Sequence, residues 1–171
     1  MGLSMNRKGK VGLVSGYFNP IHKGHLKYIF SAKARCDVLI VIINNDIQVK
    51  VKGSKPFQDE KQRFDIVNQL KSVDYTFLST DKDNSVANSL RHIHNKLLKN
   101  YNYDILFFNS GDRGSQTWNE KEKKVCEELS VECIYLDLPK EASSSNLIDK
   151  LIDSEKGKCD RCDKPKWILS V

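Results

Sequence analysis

Between residues 38 and 43 the chain sets six aliphatic side chains in a row, Val38-Leu39-Ile40-Val41-Ile42-Ile43. The strand this predicts runs from Val38 to Asn44, and apolar residues on both faces are what a parallel sheet covered on two sides requires. Upstream, an apolar segment at 11–15 leads into a turn holding Gly16, Asn19 and Pro20, then a helical period that reaches Ala34. Downstream the pattern alternates: helix 59–71, strand 75–78, helix 85–98, strand 104–108, helix 119–129, strand 132–136 and helix 144–152. Alternating strands and helices of this kind predict an α/β fold, a Rossmann-like five-stranded parallel sheet with right-handed crossovers and helices on both faces. Ligands of such sheets bind where the loops at the carboxyl ends of the strands converge. The informative segments are therefore 16–25, 44–57 and 109–118, with the turn at 142–145.

At 171 residues the chain has the size of one domain. The expected division is a basic N-terminal extension at 1–10, a folded domain at 11–153 and a C-terminal tail at 154–171. Apolar residues make up 39% and charged residues 29%, a globular composition that argues against a disordered chain. The 38–43 run is far below the roughly 20 residues that span a bilayer, and no stretch of secretory-signal length follows the basic start, so the expected setting is cytoplasmic with no membrane partner. The formal charge of +6 raises nucleic acid as a partner, but +3 of it lies in residues 1–10 and +2 in residues 150–171. A near-neutral body offers no basic groove, and nucleic acid is not expected.

Five cysteines without a signal peptide do not suggest a disulfide framework. Cys36, Cys126 and Cys133 read as small core residues. Cys159 and Cys162 in the tail form one Cys-x-x-Cys, half of a tetrahedral zinc site with no second pair or nearby His. An inert reduced pair is the simpler reading, and zinc shared across two subunits the alternative.

The strongest chemical signal is Ser15-Gly16-Tyr17-Phe18-Asn19-Pro20-Ile21-His22-Lys23-Gly24-His25, which leaves the first strand and opens the first helix. A helix N-terminus attracts anions through its amides and dipole. Gly16 and Gly24 permit close backbone approach, and His22 and His25 can both donate to one phosphoryl group. Two imidazoles at this spacing also fit a metal site or satisfied polar residues.

The segment resembles the HxGH signature of the nucleotidyltransferase superfamily, the cytidylyltransferase-like and adenylyltransferase enzymes, and the similarity runs over roughly 11–152. The resemblance implies that His22 and His25 stabilise the α-phosphate of a nucleoside triphosphate while a phosphate on the second substrate attacks it and pyrophosphate leaves. It assigns nucleotide contacts to Gly16, Tyr17, Phe18, Asn19 and Gly24. Asn44-Asn45-Asp46 after the second strand is similar to the family's Asn-x-Asp, and implies substrate contacts for Asn45 and Asp46. The stretch from Lys50 to Phe57 looks like its lysine-rich loop, with Lys52 the triphosphate contact and Lys50 and Lys55 either secondary contacts or solvated. Arg63 on the next helix is expected to bind substrate, or else to pair with Asp59 at the surface.

Asn109-Ser110-Gly111-Asp112-Arg113 resembles an Asn-Gly-Gly-Asp-Arg stretch of one branch, with Ser110 in place of the first glycine. It implies nucleotide binding by Asn109, Gly111, Asp112 and Arg113, against the alternative that Asp112 and Arg113 pair or cap the loop. Ser143, Ser144 and Ser145 are similar to a Ser/Thr-rich turn that holds β- and γ-phosphates, although Lys140-Glu141-Ala142 stands where the glycerol-phosphate cytidylyltransferase branch has an arginine. The whole resembles sugar-phosphate adenylyltransferases of the heptose-1-phosphate type. It implies a homodimeric enzyme using Mg²⁺ with the nucleotide, with NTP, ATP foremost, and a small phosphorylated metabolite as partners. A CTP enzyme acting on glycerol-3-phosphate or a phosphorylated aminoalcohol, and a non-catalytic nucleotide-binding scaffold, stay open.

Overall fold

The computed structural model of the chain describes residues 8–110 and 118–138. Five strands, β1 (Gly9–Gly16), β2 (Val38–Ile43), β3 (Tyr75–Leu78), β4 (Tyr103–Asn109) and β5 (Glu132–Tyr135), form one sheet in the order β3-β2-β1-β4-β5. Every pairing is parallel, with Leu13 opposite Ile40 on one side and Phe107 on the other. The expected Rossmann-like architecture is the one observed.

The helices are α1 (Lys23–Lys33), α2 (Asp46–Val51), α3 (Glu60–Asn68), α4 (Ala87–Ile93), which continues as a π-helical turn over His94–Leu98, and α5 (Glu120–Glu128). The alternation along β2 divides the core in two. Ile40 and Ile42 join Val11, Leu13 and Phe107 beneath α4 and α5, while Leu39, Val41 and Ile43 join Val14, Leu106 and Phe108 beneath α1 and α3. Both faces are buried because the strand is apolar at consecutive positions.

The segment 44–57, expected to be a loop, contains α2. Its start is a reciprocal cap in which Asn45 Oδ1 accepts from Gln48 N at 3.0 Å and Gln48 Oε1 accepts from Asn45 N at 3.2 Å. Its end is Gly53 at φ +81°, a left-handed residue whose N–H donates to Lys50 O at 2.9 Å. Cys126 is buried and Cys36 partly so, but Cys133 is exposed, because it lies on the edge strand β5. That corrects its expected place in the core. The helix expected at 144–152 lies outside the described residues.

With β1 central, the chain turns one way to reach β2 and β3 and the other way to reach β5 from β4. The carboxyl ends of β1 and β4 therefore flank the crevice in which ligands of open α/β sheets bind.

Candidate active site

Where β1 ends, the chain turns on Phe18, at φ 48° and 1% exposed. A Cβ on Gly16 would lie 2.8 Å from the Phe18 ring, so Gly16 is required by the seat of that ring. The Cβ direction of Gly16 is thus filled by a core side chain, and the Phe18 side chain is itself buried, which leaves the main chain of this turn as the part open to a ligand. Phe18 packs against His25, with ring centroids 4.9 Å apart.

His22 is the N-cap of α1, and its Nδ1 accepts from Gly24 N at 3.1 Å. His25 completes the cap: its Nδ1 accepts from His22 N at 3.3 Å. An imidazole nitrogen that accepts an amide proton carries none of its own, which places the proton of each neutral ring on Nε2. The rings stack with centroids 3.8 Å apart and planes 24° apart. Burial lowers the pKa of both, and for His25, with the charges of His22 and Lys52 added, it falls to about 3. Both rings are therefore uncharged at neutral pH, and they form a pair of Nε2–H donors.

One turn beyond His25, Tyr28 donates to Phe108 O at 2.6 Å. Burial raises the Tyr28 pKa, so the phenol keeps this proton. That bond joins the helix carrying His25 to the end of β4, the other side of the crevice. Its only sequence signal is the i, i+3 spacing from His25. At that end Asn109 Oδ1 accepts from Ser110 N at 2.9 Å.

Three polar residues expected to meet ligand hold the loops together instead. Asn45 is 8% exposed, and its Nδ2 donates to Ser79 O at 2.9 Å and Asp81 O at 2.7 Å. Arg63 is 1% exposed and sits under the junction of β1, β2 and α3. Its Nη1 donates to Tyr17 O at 2.7 Å and Asn44 O at 2.6 Å, its Nε to Gln58 O at 3.1 Å, and its Nη2 to Asp46 Oδ1 at 2.6 Å. The expected substrate contacts of Asn45 and Arg63 are thereby corrected, as is the alternative surface pair with Asp59, whose Oδ1 caps α3 through Gln62 N. Asp46 is held by Arg63 with its side chain 28% exposed. Asn19 likewise staples the following loop, donating to Lys55 O at 2.9 Å and accepting from Phe57 N at 2.6 Å.

Lys52, at the C-cap of α2, lies with Nζ 4.4 Å from the centroid of the Tyr17 ring. Its charge reaches His25. The structure thus brings His22, His25, Lys52 and Tyr17 together, with Lys50 and Lys55 exposed nearby in sequence. Gly111, Asp112, Arg113, Ser143, Ser144, Ser145, Cys159 and Cys162 lie outside the described residues.

Two neutral donors and an ammonium suit phosphate oxygens better than a bare cation. Among the described residues no group of three or more His, Cys, Asp or Glu could hold a metal ion, and no helix is long and apolar enough to cross a membrane.

Residues 13–150 match a protein family described as cytidylyltransferase-like. Among curated relatives, the bifunctional protein HldE of a Bradyrhizobium species is 40% identical over 75 residues, 43% of this chain and 15% of that protein. Its namesake in Caulobacter vibrioides is 44% identical over 71 residues, 40% of this chain and 15% of that protein. The chain thus matches about a seventh of the length of these relatives. Among solved structures, a lipopolysaccharide core biosynthesis protein from Thermoplasma volcanium superposes with TM-score 0.57 at 20% identity, covering 78% of this chain and 99% of that one. A bifunctional NMN adenylyltransferase/ADP ribose pyrophosphatase from Francisella tularensis, complexed with AMP and a manganese ion, gives 0.61 at 19%, covering 85% and 42%. These likenesses concern the fold.

Proposed function

Because the chain belongs to the cytidylyltransferase-like family, we propose that it transfers a nucleoside monophosphate from an NTP to the phosphate of a small phosphorylated metabolite. An oxygen of the acceptor phosphate attacks the α-phosphorus, the bond from that phosphorus to the bridging oxygen breaks, and pyrophosphate leaves with the electron pair. The nucleophile is already an anion, so no strong general base is needed. What the protein must supply is alignment of two anions and stabilisation of the charge gathering on the α-phosphate oxygens.

The observation that carries this reading is the stacked His22–His25 pair, both Nδ1 atoms occupied by backbone amides, with Nε2–H groups left as donors at the start of α1. Preorganised donors of this kind cost no reorganisation as charge develops. Lys52 supplies the positive charge that the neutral rings lack. Magnesium belongs to the substrate in this reading, entering as the chelate of the triphosphate and held by phosphate oxygens and water. ATP as the donor and a sugar phosphate as the acceptor are supported by the motif resemblance of Asn109–Arg113 and Ser143–Ser145. Association into a homodimer is part of the same proposal and is read by sedimentation.

The test is pyrophosphate release by the purified protein with Mg²⁺, each of four NTPs and a panel of sugar, polyol and aminoalcohol phosphates, with His25→Ala alongside. Release that requires ATP and one acceptor, and is lost in the variant, is the expected result. Release with CTP alone overturns the choice of nucleotide, and release that persists in His25→Ala overturns the role of the pair. No release with any NTP overturns the transferase reading.

A further inference from the structure

Lysine side chains are long and rotamer-rich, and an exposed one rarely holds a single position without a partner. Lys52 is exposed, yet its ammonium lies 4.4 Å from the centre of the Tyr17 ring, within the range of a cation–π contact. The two residues come from different loops, Tyr17 from the turn after β1 and Lys52 from the end of α2. The geometry between those loops is fixed from beneath by one side chain. Arg63 Nη1 grips the carbonyl of Tyr17 and that of Asn44, while Nη2 grips Asp46, the first residue of α2. At the other end of α2 the left-handed Gly53 sets the direction in which the chain leaves Lys52. The ring and the ammonium therefore meet across a frame whose two sides are tied to the same buried guanidinium.

We infer that Tyr17 is a positioning residue, whose ring face holds the Lys52 ammonium beside the His22–His25 pair before a polyphosphate arrives. This deepens the proposed function and rests on it for the identity of the anion. The family resemblance gives Tyr17 a nucleotide contact; the structure gives its ring a cation to hold. In this arrangement the apparent affinity of the site for polyphosphate depends on the fraction of molecules in which Lys52 is already in place. A cation–π contact at a partly exposed site corresponds to roughly a two- to fivefold equilibrium. Removing the ring face should weaken polyphosphate binding by about that factor, and only while the lysine is present.

The experiment uses inorganic tripolyphosphate, which needs no acceptor and no turnover, and titrates it calorimetrically into the parent, Tyr17→Leu, Tyr17→Phe, Lys52→Met and the Tyr17→Leu/Lys52→Met double variant. Thermal melts of each confirm folding. The expected result is a roughly two- to fivefold rise in Kd for Tyr17→Leu, rescue by Tyr17→Phe, and no further rise when Tyr17→Leu is added to Lys52→Met. Tyr17→Leu effects of equal size in both lysine backgrounds overturn the inference, as does failure of Tyr17→Phe to rescue. A parent protein that binds no tripolyphosphate also overturns it. A parent that shows the coupling yet releases no pyrophosphate from any NTP overturns the transferase reading alone.

Discussion

Replacing Arg63 by Met keeps most of the stem volume and deletes the guanidinium, and the structure sets the size of the consequence. Four hydrogen bonds disappear, to the carbonyls of Gln58, Tyr17 and Asn44 and to the carboxylate of Asp46. The side chain of Arg63 is wholly buried, and what it leaves behind is a set of acceptors with no donor. Removing one partner of a buried ion pair costs about 3–5 kcal/mol. The Asp46 side chain is 28% exposed and rehydrates in part, which places the expected loss near the lower bound, about 3 kcal/mol. For a chain of this size that is a drop in Tm of roughly 6–12 °C. The assay is a far-UV circular dichroism melt with a urea titration beside it, and Arg63→Lys is expected to rescue little, since an ammonium cannot span the same fork of acceptors. A melt within about 2 °C of the parent, as a surface arginine would give, refutes the reasoning and returns Arg63 to the ligand.

Three further outcomes follow from the same geometry. Because the folded pKa of His25 is about 3 while the unfolded imidazole titrates near 6.5, the unfolded chain binds more protons between those values. The stability linked to His25 is therefore fully present above about pH 6.5 and lost as pH falls through the window. Its ring resonances should stay flat from about pH 7.5 to about pH 5 by NMR, and a midpoint near 6.5 would contradict the buried neutral ring. Gly16→Ala drives a methyl into the buried Phe18 ring, and a loss of roughly 1–3 kcal/mol is expected from urea unfolding; a neutral result would show that the ring can shift. The Cys133 thiol is exposed and its pKa is lowered by the neighbouring Cys126, which is itself buried and pushed the other way. Iodoacetamide under native conditions should label Cys133 well before Cys126 by peptide mass spectrometry, and equal labelling would contradict the pairing.

The strands were legible because each carries an unbroken or alternating apolar run, and β2 is readable from six residues alone. The anion reading of the segment after β1 came from a different source: its two imidazoles fit a metal site or satisfied polar residues as well, and it was the resemblance of the whole motif to a family signature that singled out phosphate. By contrast α2 left no periodic trace, since six residues make under two turns. Its stability comes from contacts distant in sequence: Asn45 and Gln48 reach across to the carbonyls of Ser79, Asp81, Asp83 and Ser85. The Asn-x-x-Gln spacing was the one local sign of it. Arg63 misled for a similar reason. Asp59 four residues earlier suggested a pair along the helix, whereas the carboxylate it finds is Asp46, on another element. Phe18 and Asn19 sit inside the motif that pointed to chemistry, and only their burial marks their side chains as ones that shape the turn.

The position of β1 also bears on how the molecule comes together as it is made. Among the described residues it is the first strand in sequence and the middle strand of the sheet. Its pairing with β2 closes over a short stretch, from Val11 to Val38, but its other edge waits for Tyr103 to Phe108. A nascent chain that has emerged only as far as α4 would display a long parallel edge with unmade hydrogen bonds and Leu13 and Val14 uncovered by β4. The histidines stand at the tip of that edge. The crevice lacks its second wall until β4 has paired with β1, a contact that spans roughly ninety residues of chain and so closes later than the β1–β2 pairing.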